Sequence, residues 1–482
     1  MAALAALALA CAVLSTAGPG DSRPRLLVLT DIGGDPDDIQ SLRRLMLYAN
    51  EFRIEGLVAS ASGTPGEVGR DVTRPDLIRL VLDDYAAVRD NLARHAPGYP
   101  RADELRRVVG SGSPLRGVSH LGVGRSTEGS QLIAAALRAS PEPLYVAVWG
   151  GAHDLAQALH DVREASPPGT AGQVVSRLRA YAIADQDGGT GAWIRREFED
   201  VRYVETGPPG MDRFAALFRG MYQNDSPGGG VPLPLVDDET AASNQEAWVE
   251  EHVRSGHGPL GAGYPLVVQN PPAPRHTRGV KEGDTPSWFF AFANGLGDPD
   301  QPTWGGWGGR FRPGQGGHFT DAEDDHPSGS ADAAVRRKWT VARWRRAYQN
   351  DFRARMDWCV QPFARANHNP VAAVNADRSR RPLRLDVRPG ERMVLDAGGS
   401  TDPDGDRLGF RWWVYREASS GDAAVALSGA DGPRATASVA AEGAGTVHVV
   451  LEVLDGGTPP LSAYRRVLLQ VGVPPRPPAS RR

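Results

Sequence analysis

Four aspartates fall within eight residues in Asp31-Ile-Gly-Gly-Asp-Pro-Asp-Asp38, and another acidic motif, Glu282-Gly-Asp-Thr285, stands far along the chain. Like charges this close repel, and they are costly unless a cation or a polar ligand offsets them. Capping of a helix start accounts for one or two carboxylates. It does not account for Asp31, which precedes the glycine turn, beside the adjacent pair Asp37-Asp38. The pattern points to a divalent-metal site built from oxygen donors.

The elements that must position these groups are legible around them. Residues 26–30 form an apolar run without polar alternation, as in a strand buried on both faces of a parallel sheet. Ile39, Leu42, Leu45, Met46 and Tyr48 follow at helical spacing. The carboxylates therefore sit between a strand's carboxyl end and a helix start, where open α/β sheets place ligands. Further strands are expected over 53–60, 144–149 and 178–184. They run into Ser60-Ala-Ser-Gly63, Gly150-Gly-Ala-His-Asp154 and Asp185-Gln-Asp187-Gly-Gly, respectively. Helices are expected over 74–109, 131–139, 155–162 and 248–254, and an amphipathic helix over 338–352 closes the unit. The expected fold is α/β, a doubly wound, mostly parallel sheet spanning 24–366. Residues 205–245, rich in Gly, Pro and Asp, read as a long surface excursion.

From 367 to 382 the chain reads as a linker. Beyond it the apolar period changes to 2, predicting an all-β, immunoglobulin-like sandwich over 383–473, with Asp402-Pro-Asp-Gly-Asp406 as a turn. Such a boundary implies that the α/β part folds alone.

Two other groups of residues suit a ligand. Asp185, Gln186 and Asp187 lie at a third strand end, where they would hold substrate hydroxyls. Trp304 and Trp307 stand in Trp-Gly-Gly-Trp-Gly-Gly; indoles among glycines suit stacking on a sugar ring or a base, or else fold back over the domain edge.

The Asp31–Asp38 segment resembles the N-terminal cluster of the inosine-uridine nucleoside hydrolases, Asp-x-Gly-x-Asp-Asp after the first strand, with two more residues in its turn. This longer form resembles a secreted nucleoside hydrolase-like family whose members are often described as cellulose-binding proteins. The resemblance implies a Ca²⁺ held by Asp31, Asp38, Asp284 and the backbone carbonyl of His153. It implies Asp31 as general base, with Asp37, Asp35 and Asn294 among the substrate-binding residues. In many members a histidine precedes the last aspartate and assists departure of the base; here that residue is Gly283.

A net charge of −4 offers no electrostatic case for nucleic acid or an anionic membrane surface. The apolar run 4–17 is too short to span a membrane and ends in Ser15-Thr-Ala17, so residues 1–17 are expected to be a signal peptide of a secreted protein. After cleavage Cys359 alone remains, which excludes an internal disulfide and a thiolate metal site. A phosphohydrolase would want basic residues near the motifs, and these are lacking. The expected function is a secreted, metal-dependent glycosidase acting on an N- or O-glycosidic bond of a saccharide or nucleoside-like molecule, with cell-wall polysaccharide as a partner. The alternative is a non-catalytic carbohydrate-binding protein that uses the same metal to hold sugar hydroxyls.

Overall fold

The computed structural model describes residues 23–63, 71–199, 201–222, 233, 237–269, 276–314 and 318–472. The expected signal peptide lies outside them. Among the described residues ten strands precede residue 367. They are β1 (Arg25–Thr30), β2 (Arg53–Ala59), β3 (Val109–Ser111), β4 (Leu144–Val148), β5 (Leu178–Ile183), β6 (Arg202–Thr206), the hairpin β7 (Val267–Gln269) and β8 (His276–Arg278), β9 (Phe311–Pro313) and β10 (Phe319–Asp321). Eight of them form one sheet in the order β3-β2-β1-β4-β5-β6-β10-β9, parallel throughout except for the last pair.

Alternation along β1 explains why the sheet is covered on both sides. Leu26 and Val28 enter one core with the helices Asp37–Leu47, Pro75–His95 and Arg345–Trp358. Leu27 and Leu29 enter the other, against the helices Glu128–Ala139 and His153–Glu164. Register aligns Leu29 with Val58 and Val148, and Val148 with Ala182, so the strand ends sit level. The chain winds from β1 outward to β3 and then crosses back to β4 on β1's other side. The order thus reverses between β1 and β4, where such sheets bind ligands.

The remaining strands form a β-sandwich. β11 (Leu383–Val387), β18 (Ser462–Val471), β17 (Gly445–Leu454) and β13 (Gly409–Val414) lie side by side, with β14 (Ser420–Gly421) on β17. They face β12 (Arg392–Asp396), β16 (Arg434–Val439) and β15 (Val425–Ser428). Asp402 closes the expected turn by accepting from the backbone N–H groups of Asp404 (2.8 Å) and Asp406 (3.0 Å).

Several expectations are corrected. The helix expected over 338–352 is two, Ala333–Ala342 and Arg345–Trp358, and the one expected over 74–109 is Pro75–His95 and Ala102–Arg106 followed by β3. The described part of the 205–245 excursion is partly core: Ala216, Leu217, Phe218, Met221 and Tyr222 are buried. The expected linker is built into the fold. Asn367 donates to Asp455 and to the Pro459 carbonyl, and Ala372 and Val374 belong to the sandwich core. Few contacts were expected across this boundary, but many exist. Tyr415, Val450 and Tyr464 of the sandwich pack into the same apolar core as Trp307 and Trp344 of the α/β part. The wholly buried Arg466 donates to the Gly305 carbonyl (3.0 Å) and contacts the Leu296 carbonyl.

Candidate functional site

The turn after β1 is held from several sides. The Thr30 hydroxyl donates to Asp38, the Gly63 N–H to the Asp31 carbonyl at 2.8 Å, and the Ser62 hydroxyl to the Ile32 carbonyl at 2.7 Å. Asp37 and Asp38 open the helix Asp37–Leu47. Further along that helix Arg44 pairs with Glu282, both fully buried. Glu282 also accepts from Tyr264 (2.6 Å) and Thr285 (2.8 Å). This clamp carries the loop 281–285 to the aspartate turn and sets Asp284 beside it.

Carboxylate oxygens of Asp37, Asp38 and Asp284 lie within 4.8 Å of one another, and no other group of three potential ligand residues meets so closely among the described residues. Burial pushes the Asp38 and Asp284 carboxyls far above the usual range, and the charge of Asp31 pushes both further. Asp284 Oδ2 is buried without a hydrogen-bond partner. A buried, all-oxygen, mutually repelling donor set suits a hard divalent cation such as Ca²⁺.

The crossover strand supplies the site's other wall. A Cβ on Gly150 would fall 2.3 Å from Asp31 Cγ, and one on Gly151 would fall 2.5 Å from Asp187 Cβ and Oδ2. Only glycines let β4 end between these two carboxylates. Asp187 is buried, contacts the Thr190 hydroxyl and accepts from the His153 N–H; burial, with Asp185 beside it, raises its carboxyl to about 7. His153 heads its helix with a buried imidazole, pushed down to about 4 by burial. Its neighbour Asp154 faces away from the cluster, accepting from Thr127 Oγ1 (2.8 Å) and the Ser113 N–H (2.9 Å).

The structure thus brings together Asp37, Asp38 and Asp284, so that the expected sugar-holding Asp37, rather than the expected ligand Asp31, completes the close triad. The charge of Asp31 still acts on Asp38 and Asp284, and Asp187, which accepts from the His153 N–H, stands across the Gly150-Gly151 pair. Asp35 instead pairs with the buried Lys281, and the Gln186 amide donates to the Trp149 and Ile183 carbonyls. Three expected ligand-binding residues stand elsewhere. Trp304 and Trp307 are buried, packing edge-on to His448 and Tyr464 of the sandwich, so neither indole offers a face for stacking. The apolar sandwich face, invisible in the local pattern, claims them. Asn294 caps its own turn through the Leu296 N–H. It follows Ala293, whose carbonyl Arg380 holds together with Glu51 just ahead of β2, at the sheet's opposite end.

Sequence reasoning missed Lys281, whose ammonium burial pushes down to about 8, and also Arg44, the diglycine's packing role and Tyr222. Lys281 and the Glu282 clamp had a signal, a Lys-Glu pair just ahead of Asp284; Tyr222 had none.

The chain matches two family descriptions: "Cellulose-binding Sde182, nucleoside hydrolase-like domain" over residues 25–311, and "Cellulose-binding protein Sde0182, C-terminal domain" over 392–471. It belongs to the Sde182 nucleoside hydrolase-like family. Among solved structures it is similar to a nucleoside hydrolase-related hypothetical protein from Saccharophagus degradans described as associated with carbohydrate metabolism. The two are 30% identical, with a TM-score of 0.75 over 93% of this chain and 100% of that one. A PKD domain solved in solution, 21% identical, aligns with 20% of this chain and 86% of its own, at a TM-score of 0.15. No curated protein matches the chain. Among the described residues no helix is long and apolar enough to cross a membrane.

Proposed function

We propose that this member of the Sde182 family is a secreted, metal-dependent glycosidase that cleaves an N- or O-glycosidic bond of a saccharide or nucleoside-like substrate. The observation that carries the reading is the close triad of Asp37, Asp38 and Asp284, with the charge of Asp31 acting on it, at the switch between β1 and β4. Asp31, Asp38, Asp284 and the His153 carbonyl would hold Ca²⁺. When bound, the ion supplies Lewis acidity that makes a nearby water easier to deprotonate. Asp31, at the cluster's wall against Gly150, takes that proton as general base. Asp37, half-buried at the helix start, holds sugar hydroxyls, with Asp187, against Gly151, as a further acceptor for them. The water attacks the anomeric carbon as the bond opens toward an oxocarbenium-like state.

The family's cellulose-binding descriptions and its relative's link to carbohydrate metabolism favour a saccharide. They also support a second reading, a binding protein without turnover, which Gly283 favours because no histidine stands there to assist the leaving group. A screen of nucleosides and oligosaccharides with and without chelator separates the two. Metal-dependent product supports the enzyme; saturable sugar binding without product would replace it with the binding protein.

A further inference from the structure

Cleaving a glycosidic bond leaves an electron pair on the departing atom, and that atom needs a hydrogen-bond or proton donor. The groups gathered at the site are mostly acceptors. Among its donors, Thr30 is engaged with Asp38, Thr190 with Asp187 and Lys281 with Asp35, while Arg219 lies over the Tyr222 ring, 4.6 Å from its centroid.

Gly283 marks where another donor stands. A Cβ at this position would lie 2.9 Å from the Tyr222 phenol oxygen and 3.2 Å from Phe218 Cδ2, so the phenol occupies the space a side chain at 283 would need. Tyr222 is buried, and its ring meets Phe218 edge-on at 6.0 Å. Its hydroxyl lies against the position just before Asp284; burial raises its titration far above the usual tyrosine range, the charge of Arg219 opposes that, and the charges of Asp37 and Asp284 add to it. The segment carrying the ring is rigidly placed. The Tyr222 carbonyl accepts from Arg345 (2.9 Å) and Asn244 (3.3 Å), the Gly220 carbonyl accepts from Arg345 (2.6 Å), and the Leu217 N–H donates to Asp321 (3.0 Å). Arg345 and Asn244 are fully buried.

We propose that Tyr222 is a catalytic residue of this site, donating its phenol hydrogen bond to the leaving atom from the space that Gly283 leaves open. The inference rests on the glycosidase reading above. As the bond to the anomeric carbon breaks, its electron pair passes to the leaving atom, whose growing charge the phenol O–H stabilises. Water oxygen forms the new bond and gives one proton to Asp31. The leaving group gains one proton from solvent and Asp31 returns one to solvent, so Tyr222 keeps its own proton and the balance closes.

The test compares full-length wild type with Tyr222→Phe on paired methyl and 4-nitrophenyl glycosides of ribose, xylose, glucose and cellobiose, with Ca²⁺ present. A methyl glycoside leaves as a poor alkoxide and needs the donor, whereas nitrophenoxide departs without help. The expected result is a loss of about a hundredfold or more in kcat on the methyl glycosides, the scale of one removed preorganised donor. On the nitrophenyl partners the loss should stay below about fivefold, with Ca²⁺ affinity and Tm unchanged. Equal losses on both leaving groups, or no loss, would overturn the role of Tyr222 while leaving the glycosidase reading intact. Absence of wild-type turnover on every pair, and on the nucleosides and oligosaccharides of the chelator screen, would overturn both.

Discussion

At the scale of single residues, the chemistry is a contest between burial and charge. Asp38 and Asp284 are almost wholly buried within reach of the charge of Asp31, and burial and that charge push both carboxyls well above the ordinary aspartate range. Asp31→Asn and Asp284→Asn each remove one anionic oxygen donor, so calorimetry should find Ca²⁺ binding abolished in both. Unchanged affinity in the two variants would refute the ligand set. Asp187 makes a separate pH prediction. Its folded-state carboxyl titrates near about 7, against about 3.9 when unfolded, so the unfolded chain releases this proton first. Its contribution is therefore greatest at low pH and declines as pH rises from about 4 to about 7. In chelator, Asp187→Asn should remove roughly one proton from the pH slope of unfolding free energy across that window. An unaltered slope would show that Asp187 holds no such proton.

At the scale of elements, two devices bring the residues together. One is the buried pair Arg44–Glu282, which ties the Asp284 loop to the helix that begins with Asp37. Removing one partner of a buried pair leaves an uncompensated charge, so Arg44→Met should cost about 3–5 kcal/mol in denaturant unfolding. Metal affinity should weaken too, because Asp284 loses its support. The other device is the end of β4. Gly150→Ala would drive a methyl group into Asp31, so Ca²⁺ affinity should drop at least about tenfold (roughly 1.4 kcal/mol) while the circular dichroism spectrum stays native. Retained affinity would mean that Asp31 can move aside without harm to the site.

At the scale of the whole molecule, the sandwich completes the core of the α/β part. Tyr415 donates to the fully buried Asp324 at 2.6 Å, and that carboxylate also pairs with Arg310 and Arg343. Trp344 meets Tyr415 at 6.1 Å and Tyr464 at 5.8 Å. A fragment ending at Asn367 would uncover this aromatic face and strand Asp324 with its arginines. It should therefore be insoluble or molten, contrary to the modular expectation drawn from the linker. A soluble fragment with a cooperative unfolding transition would restore that expectation.

Periodicity and residue type were enough to identify β1, the helix after it, the parallel sheet, the change to period-2 strands and the aspartates at a strand end. These are local properties: alternation, helical spacing and like-charge crowding are written in neighbouring positions. Tertiary structure decided what lies between distant segments. It brought Asp284 to Asp38 across nearly the whole α/β part through Arg44 and Glu282, and it turned Asp35 toward Lys281. It placed Tyr222 against Gly283, though a glycine-rich stretch rich in turns gave no sign of a buried ring. It also hid Trp304 and Trp307, because whether an indole among glycines meets solvent or a second domain depends on a surface encoded more than a hundred residues later. Local sequence can specify which groups repel and which prefer burial; only the packed chain specifies which partner relieves them.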